Sequence, residues 1–152
     1  MMNNDNTITV ATKLYGYIAE NAHSSRFSSA VNQLFKDSGT NAMVIPMNIR
    51  PDDIVFTLSQ MRHSKLSGAI VATEYQEEAA GLVDTVSDSA EEQGIVDLIL
   101  IENNQLSGDL IMPKALEKYA ENENFKDDIA LRSLCHYFYD LTTGEKDESK
   151  RF

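Results

Sequence analysis

The chain alternates between short apolar runs of strand length and stretches whose apolar residues recur with a helical period. Residues 8–18 hold an apolar and β-branched run, Ile8, Val10, Leu14, Tyr15 and Tyr17, which predicts a first strand. Over 26–36, Phe27, Ala30, Val31, Leu34 and Phe35 fall at i, i+3, i+4, i+7 and i+8. That spacing describes one buried helical face, and Gly39 just beyond it is a stop signal. Residues 42–49 form a second apolar run, and Pro46 places it at a bulge or a sheet edge because proline has no amide to donate. Pro51 then opens a helix with Ile54, Leu58 and Met61 inward. Asp52 and Asp53 sit in its first turn, where the helix dipole favours negative charge.

The run 68–73 reads as a fully apolar strand, and 74–86 as a helix with Ala79, Leu82, Val83 and Val86 inward. A short turn or helix over 89–93 precedes the strongest strand signal, 95–101. Glu102, Asn103, Asn104 and Gln105 carry turn chemistry, so 106–111 pairs back as a hairpin. Pro113 introduces a short helix over 114–122. A longer one over 126–142 carries Leu131, Leu134, Cys135, Phe138 and Leu141 on one face. Strands alternating with helices predict an α/β fold, a three-layer α-β-α sandwich with a mixed, mainly parallel sheet. The hairpin adds one antiparallel strand. The expected organisation is a single domain over 1–143, closed by the helix at 126–142, and a charged flexible tail over 144–152.

Composition acts mainly by exclusion. At 42% hydrophobic and 24% charged, the sequence is that of a globular chain with a real core. Twenty-four acidic residues against thirteen basic ones give a formal net charge of −11. Such a balance opposes nucleic-acid binding through phosphates and binding to an anionic membrane surface. No stretch approaches the ~20 apolar residues of a membrane span. Residues 1–12 lack the basic start and apolar core of a secretory signal, so the expected location is cytoplasmic. The single Cys135 excludes an intramolecular disulfide and a cysteine-based zinc cage. Its place on an apolar helical face makes it a core residue, with His136 pointing about 100° away. No two glycines stand one residue apart, which removes the dinucleotide fingerprint and the phosphate loop. His23, His63 and His136 match no zinc spacing, so neither metal nor cofactor is expected.

Two polar groupings remain. Ser24, Ser25, Ser28 and Ser29 gather where the first strand should hand over to a helix. Helix capping explains them; so does a hydroxyl cluster at the carboxyl end of a strand, where open α/β sheets bind ligands. Glu74, Glu77, Glu78 and Asp84 read as a solvated acidic helix face.

Four segments stand in a suggestive order. Gly16 precedes His23-Ser24-Ser25-Arg26-Phe27, and Gly68-Ala69-Ile70-Val71-Ala72-Thr73-Glu74-Tyr75-Gln76 leads into Glu77-Glu78-Ala79. Gly94-Ile95-Val96-Asp97 follows, and Leu106-Ser107-Gly108-Asp109 closes the hairpin. Over residues 13–113 this arrangement resembles the N-terminal substrate-binding domain of shikimate dehydrogenases. In the family's His-Ser-x-Ser-Pro loop, Ser24 matches the first serine, with Ser25 or Ser28 as the second in a shifted register. Against the family's Gly-x-Asn-Val-Thr-x-Pro-x-Lys, Ile70 replaces the asparagine, Ala72 the threonine, Glu74 the proline and Gln76 the catalytic lysine. Asp97 stands for a substrate-binding asparagine and Met112 for the catalytic aspartate.

The resemblance therefore implies a substrate cleft lined by Ser24, Thr73, Gln76 and Asp97. It implies no working proton-transfer pair, because neither an amide nor a thioether exchanges a proton near neutral pH. The family's NADP-binding Rossmann domain should begin after Pro113, where the pattern of 114–141 is helical instead. The preferred expectation is a non-catalytic module without a cofactor. It would hold a small polar ligand in that cleft, or pair with a protein partner or a second copy of itself. Asp97 and Glu74 would repel a carboxylate, so shikimate itself is not the expected ligand. The alternative is the substrate-binding half of a split shikimate/quinate dehydrogenase-like oxidoreductase. That half would borrow its NADP-binding domain from another chain and use His23 or Tyr75 as a proton donor.

Overall fold

The computed structural model describes residues 12–122 and 128–144. The residues 8–11 expected at the head of the first strand, and the tail from 145 onward, lie outside the described residues. Strand β1 (Lys13–Ala19) passes through a 3-10 turn (Ala22–Ser24) into helix α1 (Phe27–Ser38). Strand β2 (Ala42–Asn48), a 3-10 turn (Pro51–Asp53) and helix α2 (Ile54–Met61) repeat that unit. Strand β3 (Leu66–Val71), a third 3-10 turn (Thr73–Tyr75) and helix α3 (Gln76–Leu82) repeat it again. The remaining elements are β4 (Thr85–Val86), α4 (Asp88–Gln93), β5 (Leu98–Glu102), β6 (Gln105–Asp109), α5 (Met112–Tyr119) and α6 (Ile129–Thr142).

The six strands form one sheet in the order β2-β1-β3-β5-β6-β4. β1 pairs in parallel with both β2 and β3, and β4 with β6, whereas β5 is antiparallel to β3 and to β6. β5 is thus the one reversed strand, and the sheet is mixed and mostly parallel as the crossover pattern predicts. Helices cover both faces. Ile54, Leu58 and Met61 of α2, with Ala79 and Ala90, pack on Ile18, Val71 and Ile99. On the opposite face Val31 and Phe35 of α1, with Cys135 and Phe138 of α6, pack on Tyr15, Val44 and Ile70. The period-2 alternation of β3 sends Ile70 to one core and Ala69 and Val71 to the other.

Local chemistry explains the boundaries. Gly39 ends α1 with φ at 70°, the left-handed conformation that glycine adopts without penalty, and its amide bonds back to the Lys36 carbonyl. Asn103 and Asn104, with φ of 54° and 61°, form the tight turn between β5 and β6 that the Asn-Asn pair foretells. Gly68 is needed for strand approach: a Cβ there would lie 2.4 Å from the Ile99 carbonyl oxygen. At the outer edge of the sheet, the Asn32 side chain donates to the Val44 carbonyl at 2.9 Å and accepts from the Val44 amide at 2.7 Å. Pro46 lies on the same edge strand.

Three expectations need correction. The helix expected over 74–86 stops at Leu82, because Val83 turns extended (φ −82°, ψ 163°). The Asp84 carboxylate then accepts from the Leu106 amide at 2.7 Å and from Arg62 at 2.9 Å, which steers Thr85 and Val86 into a parallel strand beside β6. The strand expected to begin at Ile95 begins at Leu98. Leu141, expected on the packed face of α6, is 38% exposed, whereas Leu131 and Leu134 pack half-buried against the core beside the buried Cys135 and Phe138. Phe138 sits edge-on to Tyr15 at 5.2 Å and 5.8 Å from Phe27.

Candidate ligand cleft at the strand ends

The carboxyl ends of β1 and β3 open into a cleft of about 560 Å³. Its walls are Tyr17 and Ala19 of β1, the loop residues Glu20, Asn21, Ser24 and Ser25, and Ala72 and Glu74 beyond β3. The loop is anchored from a neighbouring strand: the Asn48 side-chain oxygen accepts from the Ala22 amide at 2.6 Å and from the His23 amide at 3.3 Å. Ser24 Oγ donates to the Asn21 carbonyl at 3.0 Å, and Ser25 Oγ accepts from the Phe27 amide, the first of α1, at 3.1 Å. The N-cap position itself is Arg26, whose side chain makes no capping bond, so the serines shape the loop and line the cleft rather than cap the helix. Across the opening, Glu74 Oε2 accepts from the Glu20 amide at 2.8 Å and ties the end of β3 to the end of β1. The Tyr17 ring is stacked on Phe27, with centroids 5.2 Å apart and planes 23° from parallel.

Of the four residues expected to line this cleft, Ser24 does so. Thr73 is exposed at the start of a 3-10 turn and lies outside the lining. Gln76 turns inward instead, its Nε2 donating to the Val71 carbonyl at 2.9 Å. Asp97 is 1% exposed: its carbonyl accepts from the Val71 amide at 2.9 Å beside the end of β3, but it is not among the cleft lining. Its two carboxylate oxygens accept from the Ile111 amide at 2.8 Å and the Met112 amide at 2.9 Å, at the start of α5. Burial raises its pKa, opposed by those two hydrogen bonds, and Asp109 nearby raises it further. The expectation of an unpaired Asp97 facing a ligand is thus overturned by two backbone donors. Ser25 belongs to the serine cluster expected there; Tyr17, Glu20 and Asn21 were not foreseen, and their signal is adjacency to the end of β1, where chain reversal exposes polar groups.

Neither replacement proton donor is placed to act in the cleft. Tyr75 is 2% exposed, and its hydroxyl donates to the Ile49 carbonyl at 2.5 Å. His23 is exposed and does not line the cleft. Cys135 is buried, and desolvation pushes its thiol up to about 12, which fits a packing role. Among the described residues no group of three or more His, Cys, Asp or Glu side chains could hold a metal ion. No helix among them is long and apolar enough to cross a membrane.

The profile of the shikimate dehydrogenase substrate binding domain matches residues 17–99, more than half of the chain. The chain belongs to the shikimate dehydrogenase substrate-binding domain family. It is 30% identical over 101 residues to the shikimate dehydrogenase (NADP(+)) of Aquifex aeolicus, a match covering 66% of this chain and 38% of that enzyme. The counterpart from Dehalococcoides mccartyi strain CBDB1 is 27% identical over 100 residues, covering 66% of this chain and 35% of the enzyme. The crystal structure of the Aquifex aeolicus shikimate dehydrogenase superposes with a TM-score of 0.70 at 26% identity, covering 77% of this chain and 44% of that one. The match therefore spans well under half of these relatives' length. Within the matched span, Gly68 has a backbone reason for its place, and Gln76 and Asp97 make internal hydrogen bonds.

Proposed function

We propose that this chain acts as a binding module that holds a small polar ligand in the cleft between β1 and β3 without oxidising it. The observation that carries this reading is the inward turn of Gln76. Gln76 stands where the resemblance places the family's catalytic lysine, and its amide is committed to the Val71 carbonyl. Met112, at the catalytic aspartate's place, offers a thioether that cannot relay a proton. The cleft nonetheless keeps a substrate-sized volume and an array of hydroxyl, amide and carboxylate groups. The commitment of Tyr75 to Ile49 weighs against the split-dehydrogenase alternative, which needs a new proton donor beside the substrate.

The test combines turnover with binding. Purified protein incubated with NADP and shikimate or quinate is expected to give no cofactor reduction above a blank. A panel of small polyhydroxylated compounds is expected to raise its melting temperature, and amide shifts should map to Ser24 and Ala72. Cofactor-dependent turnover would refute the non-catalytic reading. The absence of any ligand-dependent shift would refute the binding role.

A further inference from the structure

We propose that the cleft selects a cationic ligand, a small polyhydroxylated primary amine, with Glu74 as its fixed counter-ion. This rests on the reading of the cleft as a binding site and adds the ligand's charge. Glu74 differs from an ordinary surface glutamate in being held in place. Its Oε2 accepts from the Glu20 amide, so the carboxylate is oriented across the opening by a neutral donor rather than by a cation. Glu20 contributes a second carboxylate to the same cleft, and no lysine or arginine is among its lining residues.

The basic residue nearest in sequence, Arg26, does not offset this charge. Its guanidinium pairs with Asp128 and lines a separate cavity of about 310 Å³ between α1 and α6. Carboxylates facing a cleft without counter-charge penalise an anionic guest and reward an ammonium group. The negative field reaches inward: burial first, then the charges of Glu20 and Glu74, raise the pKa of the Tyr75 hydroxyl. Tyr17 lines the same cleft with one ring face held against Phe27, and an aromatic ring in the lining adds attraction for an ammonium. The hydroxyls of Ser24 and Ser25 and the amide of Asn21 supply neutral partners for the remaining hydroxyl groups of a polyol. The net charge of −11 draws cations toward the whole molecule.

Three probes of one ring size separate charge from shape: glucosamine, glucose and glucuronate, titrated calorimetrically below neutral pH where the amine is protonated. The expected order is glucosamine, then glucose about tenfold weaker, then glucuronate without detectable binding. Glu74→Gln retains an acceptor for the Glu20 amide and removes the charge. It should weaken glucosamine about tenfold and glucose by clearly less, with the melting temperature reporting that the fold is intact. Added salt should weaken glucosamine in the wild type. Equal affinity for glucosamine and glucose, unaffected by Glu74→Gln, would overturn the charge assignment and leave the binding site standing. Preference for glucuronate would overturn it outright. Failure of all three to bind would overturn both this inference and the cleft reading beneath it.

Discussion

Along the end of the sheet where its parallel strands finish and the reversed β5 begins, the polar residues divide into two regions with opposite fates. Beside β1 and β3, Ser24, Asn21, Glu20 and Glu74 border an open cleft, and the Glu74 carboxylate uses one oxygen on a backbone amide. Beside β5 and β6, Asp97 spends both oxygens on the first amides of α5. Asp109 likewise accepts from Ser87 at 2.7 Å and from the Leu110 amide at 2.7 Å, with the Lys114 ammonium at 3.6 Å. The difference comes from where helices begin. α5 starts within three residues of β6 and presents free amides to whichever carboxylate lies beneath, whereas a 3-10 turn separates β3 from α3 and Glu74 faces out. A carboxylate at a strand end is therefore not a ligand contact by position alone; nearby unpaired amides claim it first.

Four measurements would break or sharpen that contrast. Asp97→Ala should cost about 2–4 kcal/mol in urea unfolding, because two amides at the start of α5 lose their acceptors in a buried setting. A loss below about 1 kcal/mol would mean that Asp97 is no more structural than the cleft residues. Tyr75→Phe, on the β2 side of the cleft region, should cost about 1 kcal/mol by leaving the Ile49 carbonyl unpaired. A null result would return its hydroxyl to the list of groups available for chemistry.

The third measurement is the slope of stability against pH. Asp97 has a raised pKa in the folded state, so its contribution is fully present below the unfolded value and is lost as pH rises through the folded one. Asp109 is lowered: burial pushes it up, but the Ser87 hydroxyl, the Leu110 amide and Lys114 outweigh that. Its contribution is present above the unfolded value and is lost as pH falls through the folded one. Asp97→Asn should therefore remove a decline on the rising side of the ordinary carboxylate range, and Asp109→Asn a decline on the falling side. Identical slopes in both variants would contradict the opposite environments. The smallest effect belongs to Ser24→Ala, expected to change stability by no more than about 0.5 kcal/mol because the side chain is exposed. A larger loss would make the cleft loop structural as well.

Much of the architecture was legible because its signals are local. The i, i+3, i+4 spacing of Phe27, Ala30 and Val31 and the Asn103-Asn104 pair act over one or two turns of chain. The helix overrun past Leu82 shows the limit: Val83 and Val86 fit a helical face, but the partner strand β6, about twenty residues on, takes Thr85 and Val86 and decides the matter. The site divides in the same way. Ser24 was legible from its place after a strand, whereas the roles of Gln76 and Asp97 depend on where their side chains turn. Asp97 bonds residues fourteen and fifteen positions away, beyond a hairpin whose geometry no local pattern specifies.

The clasp of Asn32 on Val44 has a consequence for how copies of this chain can meet. On the outer side of β2 the Ala42 amide is taken by the Thr40 carbonyl, the Val44 amide and carbonyl by Asn32, and Pro46 has no amide to give. A foreign strand laid against that border would find its hydrogen-bond ladder interrupted at successive rungs. At the far border β4 offers two residues, too short a template for an added strand. Among the described residues, neither border of the sheet therefore offers an uninterrupted template for an added strand, which disfavours edge-to-edge stacking and shifts any contact between copies toward helices and loops.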